Sequence, residues 1–292
     1  MFSLSKAEIP WPRWDGALPN VLFLSYVLIL AATHDGVIEP VRAWVTLIVL
    51  AGLLLPALAE SWRYWFSLAF TLSLNLVPYY AYAANHYWLT VYVTVCFALQ
   101  KYRAEQGRAP SLNVPRGLLA IVFGFATLQK LLSSYFMSGR LLAYYFMSGS
   151  SMYDPLRWLF AGHARRVEAY LDAQTQISNA TPLGGLSVSL PAPPEGFLLL
   201  CQSIALSIVV AEFVVFAFLV VDRLFDSAFF PPLMLGFVWG TAAFRPEWAF
   251  FALVCILVFL ARPQLSPWWK LLIVLSAVTL LAFEVPDLEP LL

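Results

Sequence analysis

Lys130 lies inside "FATLQKLLSSYFMSG", residues 125–139, a run that otherwise reads as lipid-soluble helix. An ion at the centre of a bilayer costs at least about 2.5–3.5 kcal/mol on insertion scales, so such residues usually face a partner, a cavity or a reaction. Burial in a low dielectric disfavours an ammonium, and that turns a lysine into a usable general base near neutral pH. Two structural alternatives compete with this reading. The side chain can snorkel to the interface, or it can form a salt bridge that locks helix packing. Glu212, in "IVVAEFVVFAF", supplies a specific partner if its helix touches that of Lys130.

His86 opens the preceding apolar segment at a depth similar to that of Lys130, with Asn75, Tyr79 and Tyr80 closing the segment before it. These residues would line a polar, aromatic pocket suited to a flat ring ligand. An interfacial or hydrogen-bonded histidine explains His86 equally well. No metal site is expected, because His34, His86 and His163 share no helical spacing and Cys96, Cys201 and Cys255 stand far apart in apolar segments. Neither a GxSxG elbow nor a glycine-rich phosphate loop occurs, which argues against serine hydrolysis and against an ATP-driven pump.

The elements that must position these groups are hydrophobic helices. Of the 292 residues, 61% are hydrophobic and 12% charged, whereas soluble domains carry about a quarter charged residues. We therefore expect an integral membrane protein with an all-α fold: a polytopic bundle of about eight or nine spans, each near the roughly 20 residues that cross the hydrocarbon. The candidate spans are 18–33, 40–59, 62–82, 86–101, 117–138, 197–221, 228–244, 247–261 and 268–283. Lys101, Arg103, Arg108 and Arg116 cluster between the fourth and fifth. The positive-inside rule puts that loop in the cytoplasm, the N-terminus in and the C-terminus out. A net charge of zero gives nucleic acid no bulk attraction. The proline-interrupted N-terminus does not read as a signal peptide, and Trp11 and Trp14 suit the interface.

Residues 1–292 are read as a single membrane domain, with 139–196 as an outer connection. Its first half spaces Leu156, Leu159, Phe160, Val167, Tyr170 and Leu171 as an amphipathic surface helix would. The second half is rich in Pro and Gly and reads as an irregular loop or a short strand pair over the outer mouth, or equally as a partner-binding surface. A short echo, "SYFMSG" at 134–139 and "YYFMSG" at 144–149, is read as two similar interfacial turns.

"NHYWL" at 85–89, followed some forty residues later by "FATLQKL" at 125–131, resembles the membrane core of the vitamin K-dependent gamma-carboxylase and its bacterial relatives, the horizontally transferred transmembrane (HTTM) domain family. The likeness covers about residues 60–140. It implies that Lys130 is the base that deprotonates a reduced isoprenoid quinone and that His86 is its hydrogen-bonding or relay partner. Asn75, Tyr79, Asn85, Gln129, Tyr135 and Glu212 are the residues we expect to bind the quinone. Departures from the family pattern are specific. Leu132, Ser133 and Ser134 stand where acidic residues are expected, Tyr135 stands where tryptophan is expected, and Gly139 comes one residue late. No counterpart of the animal carboxylase's outer substrate domain is expected after the last span.

Two functions remain in view. One is a carboxylase-like membrane enzyme that binds an isoprenoid quinol in the bacterial inner (cytoplasmic) membrane. The other is a non-catalytic transmembrane subunit of a larger respiratory or photosynthetic complex, partnered by other membrane subunits and holding quinone, pigment or lipid. A transporter fits less well, since no inverted repeat is visible.

Overall fold

The computed structural model describes residues 17–33, 38–79, 85–107, 113–147, 161, 162, 165, 194–244, 247–262 and 264–284. Among the described residues every regular element is a helix, so the fold is all-α. The contacts group these helices into two compact units, Met1–Leu119 with Trp248–Leu292, and Ala120–Glu247.

The first unit contains α1 (Ala17–Thr33), α2 (Glu39–Leu54), a 3-10 turn (Leu58–Glu60), α3 (Trp62–Tyr79), α4 (Asn85–Glu105), the start of α5 (Asn113–Leu132), and, from the far end of the chain, α11 (Trp248–Ala261) and α12 (Pro267–Glu284). α2 stops at Leu54, short of the expected boundary at 59. Leu55 precedes Pro56 and takes a non-helical ψ of 76°, because the proline ring excludes α backbone from the residue before it. α11 is apolar on every side and buried from Phe251 through Phe259, which makes it the central element of this unit. It packs on α1, α4 and α12.

An aromatic stack fills the space between α1, α3 and α4. Trp65 lies 4.4 Å from Phe97 and Phe23 lies 5.0 Å from Phe97, centroid to centroid. Trp65 satisfies its indole N–H by donating to the Ala59 carbonyl at 2.7 Å. Deeper still, the Tyr26 and Thr90 hydroxyls share a fully buried hydrogen bond of 2.7 Å. Tyr26→Phe is expected to lower stability by about 1 kcal/mol, the net worth of one buried hydrogen bond. Thermal unfolding in a fixed detergent would measure it, and an unchanged midpoint would show that the bond contributes nothing net.

The second unit contains the remainder of α5, α6 (Ser134–Met137), α7 (Arg140–Met147), α8 (Glu195–Val220), α9 (Asp222–Phe225) and α10 (Phe230–Phe244). The expected span 117–138 is broken at Ser133, whose β-region backbone starts a new helical turn, its hydroxyl accepting the Phe136 N–H at 3.2 Å. The first copy of the "SYFMSG" echo therefore forms α6 and the turn at Ser138–Gly139. The second runs as helix as far as Met147, since no capping residue interrupts the apolar run before it.

Along α8 the buried positions are Phe197, Cys201, Ala205, Val209, Glu212, Val215 and Leu219, one stripe at three- and four-residue spacing. The other faces are equally apolar yet exposed, with Leu199 at 62% and Phe213 at 57%. α5 repeats the pattern, burying Phe123 and Thr127 while exposing Ile121, Phe125, Leu128 and Leu132. A soluble helix would reverse this arrangement, with polar side chains facing out. Val114–Leu132 and Glu195–Val220 are long and apolar enough to cross a membrane, and Ala17–Thr33, Trp248–Ala261 and Pro267–Phe283 are apolar but shorter.

Candidate functional site

Lys130 falls on α5 seven residues after Phe123 and three after Thr127, so helical periodicity puts it on the inward stripe. Thr127 spends its hydroxyl on the Phe123 carbonyl, 2.8 Å away and four residues back, a local bond that adds no polarity to the interface. On α8, Glu212 continues the buried stripe after Val209. The two meet. Lys130 Nζ donates to Glu212 Oε1 at 2.6 Å, with 20% of the lysine side chain and 7% of the glutamate side chain exposed.

Two further features surround the lysine. Lys130 sits in the last turn of α5, where the negative end of the helix dipole attracts a cation. The Phe136 ring of α6 lies 5.8 Å from Nζ, within cation–π range. The break at Ser133 makes this contact possible, because it turns the chain back toward the helix end that it has just left. Ser133→Ala is expected to cost about 1 kcal/mol, as N-cap losses do. The same change would loosen Phe136 from Lys130, and hydrogen exchange at the Phe136 amide would report it. Exchange no faster than in the parent chain would show the cap to be idle.

Gly139 fixes the other end of this turn. Its φ of +76° is left-handed, and a Cβ there would lie 2.5 Å from the Gln202 amide nitrogen and 2.9 Å from the Cys201 carbonyl carbon. The backbones of the α6–α7 turn and α8 thus touch at Gly139. Around that contact Phe136, Leu142 and Ala143 pack with Phe197, Cys201, Ala205 and Val209 into one apolar cluster.

The chain was compared with protein-family models, with curated proteins and with solved structures. It matches none of them. The residues themselves therefore carry the functional reading.

Of the residues singled out in the sequence, Lys130 and Glu212 come together. Gln129 and Tyr135 neighbour Lys130 in sequence but are exposed, since the helical rotation between adjacent positions carries Gln129 off the inward stripe. Asn75 belongs to the first unit, where its side-chain oxygen accepts the Ile38 N–H at 2.9 Å and holds the start of α2. Nearby, the Tyr87 hydroxyl donates to the Leu72 carbonyl at 3.0 Å. Tyr79 ends α3, and Asn85 and His86 begin α4, but their side chains lie outside the described residues. His34, His163, Tyr80 and most of the amphipathic segment after Met152 lie outside them as well.

Phe136 and Ser133 were missed as members of the site. Serine is a favoured N-cap residue, but inside an apolar run it does not by itself mark a break.

Chemically, the arrangement is a closed ion pair, flanked on the lysine side by an aromatic ring. It can hold helices together across an apolar interface. Any ligand that engages Lys130 must compete with Glu212, the only carboxylate bonded to it among the described residues.

Proposed function

We propose that this chain is an integral membrane protein of about eight or nine helical spans, N-terminus in and C-terminus out, in a bacterial inner membrane. It serves there as a non-catalytic transmembrane subunit of a larger respiratory or photosynthetic complex, holding quinone, pigment or lipid. The observation that carries the reading is the 2.6 Å Lys130–Glu212 contact. It gives the intramembrane lysine a packing role and removes the need for a reaction to explain it. The apolar faces left exposed on α5 and α8 support the membrane setting and give neighbouring helices a surface to meet.

Mild-detergent purification from the native membrane, followed by mass spectrometry of co-purifying chains and extracted ligands, tests the reading. Stoichiometric recovery with other membrane polypeptides is the expected result. A chain that always emerges alone and stable refutes it.

A second reading, a carboxylase-like enzyme acting with an isoprenoid quinol, is favoured by one observation: a fifth of the Lys130 side chain stays exposed within the "FATLQKL" stretch. In that case Lys130 is the base and Glu212 holds its proton. Quinol oxidation by dioxygen in the isolated chain would be lost in Lys130→Ala beyond any loss of folded protein. Under the subunit reading the same variant lowers stability and changes no turnover.

A further inference from the structure

In the first unit, α2, the 3-10 turn and α3 enclose a shallow groove of about 310 Å³. Ile48, Ala51 and Leu58 make its apolar floor, and Ser61, just before α3, stands at its edge with Arg63 and Ser67 of α3. Tyr64 closes the wall. Its hydroxyl donates to the Ile48 carbonyl at 3.0 Å, and its ring reaches that position because Gly52, directly beneath it, carries no side chain.

The electrostatics of this groove are one-sided. Glu60, three residues before Arg63, is already engaged with Lys101 at 2.6 Å and Asn20 at 3.2 Å. Among the described residues no carboxylate pairs with Arg63. The guanidinium lies 5.8 Å from the Trp62 ring, and Trp62 meets Tyr102 edge-on at 5.6 Å. Trp and Tyr beside Lys and Arg is the composition of a membrane–water boundary. Ser61 accepts the Arg63 backbone N–H at 3.3 Å, which leaves its own O–H to donate outward. From Arg63 to Ser67 α3 rises about 6 Å, and the apolar side chains of Ile48, Ala51 and Leu58 line the groove beside this polar edge.

The geometry points to a binding site for one anionic phospholipid, its phosphate on Arg63 and the Ser61 hydroxyl and its first acyl methylenes across Ile48, Ala51 and Leu58. This assignment rests on the membrane reading above. A guanidinium with no acid partner favours a lipid of net negative charge over a zwitterionic one, whose own cation already offsets the phosphate. The apolar floor separates a lipid from free phosphate, which would gain nothing from Ile48 or Ala51.

The test uses the full chain in phosphatidylcholine nanodiscs containing a minor fraction of phosphatidylglycerol, with retained lipid counted by native mass spectrometry after detergent release. The parent chain is expected to keep one phosphatidylglycerol. Arg63→Gln should keep about tenfold less, since one charge-assisted hydrogen bond corresponds to roughly that factor. Arg103→Gln, an exposed arginine at the end of α4 and outside the groove, should behave as the parent. Ala51→Phe keeps Arg63 but fills the floor and should also lose the lipid, which keeps the test alive if Arg63→Gln misfolds.

Equal retention of the two lipids by the parent chain, or equal losses in the two arginine variants, overturns the assignment. So does complete displacement by inorganic phosphate, which would mark a plain anion site. A chain that stays in the aqueous phase when nanodiscs form overturns the membrane reading and this site with it. One that inserts and shows no lipid preference overturns the site alone.

Discussion

Glu212→Leu should destabilise the protein by about 3 kcal/mol or more, the loss expected when one partner of a buried ion pair is removed and the other stays charged. The size follows from what remains. Lys130 would keep its place at the end of α5, on the stripe that buries Phe123 and Thr127, with the Phe136 ring beside its ammonium and no carboxylate bonded to it among the described residues. A double variant, Lys130→Met with Glu212→Leu, should recover most of the loss, because two apolar side chains of similar volume need no compensation in that setting. Melting in a fixed detergent for both single variants and the double variant closes the cycle. If the two single losses simply add in the double variant, the contact has no coupling energy and the structural role given to Lys130 fails.

Gly139→Ala is the second large effect. Left-handed backbone costs a non-glycine residue about 1–2 kcal/mol, and here that is the smaller part. The new methyl group would sit 2.5 Å from the Gln202 nitrogen and 2.9 Å from the Cys201 carbonyl carbon. Both are backbone atoms in the middle of a regular helix, so no side chain can swing aside. Either α6–α7 lifts off α8 or α8 bends, and in each case the cluster of Phe136, Leu142, Phe197 and Cys201 opens. We expect loss of the folded chain at growth temperature, or trypsin cleavage in the 134–147 segment that the parent resists. A folded, protease-resistant Gly139→Ala would mean that the close approach is not a requirement of the fold.

Much of this architecture could be read from hydrophobic runs. The helix of Glu195–Val220 and the expected span at 197–221 nearly coincide, as do Phe230–Phe244 with 228–244 and Trp248–Ala261 with 247–261. In each case a continuous apolar run ends at charge, proline or glycine, and those signals are local. The breaks inside runs were harder to see. "LLSSYFMSG" is apolar enough to continue a helix, and only the capping geometry of Ser133 and the left-handed Gly139 shows that it folds back. Pro56 was a visible stop for α2 that the hydrophobicity around it concealed.

The site divides in the same way. A lysine and a glutamate in separate apolar runs suggest each other, since a bilayer leaves few other partners, and that pair was legible. The roles expected of Asn75, Gln129 and Tyr135 depended on which way each side chain faces, and a short motif does not fix rotation about a helix axis. Asn75 illustrates the point: its oxygen is taken by the Ile38 amide, a backbone partner 37 residues away.

The first unit draws its helices from both ends of the chain, with α11 and α12 joining α1–α4 only after residue 247. Seen from the ribosome, this imposes an order of events. At about 5–20 residues per second, the stretch from Leu119 to Trp248 takes roughly 6–26 s to synthesise. Throughout that delay the inner surface of α1 waits for α11. The second unit, continuous in sequence, meets no such delay and can close while the first is still open. A ribosome stalled before α11 therefore leaves a nascent chain with a finished second unit and a first helix that has α2 beside it but not yet α11.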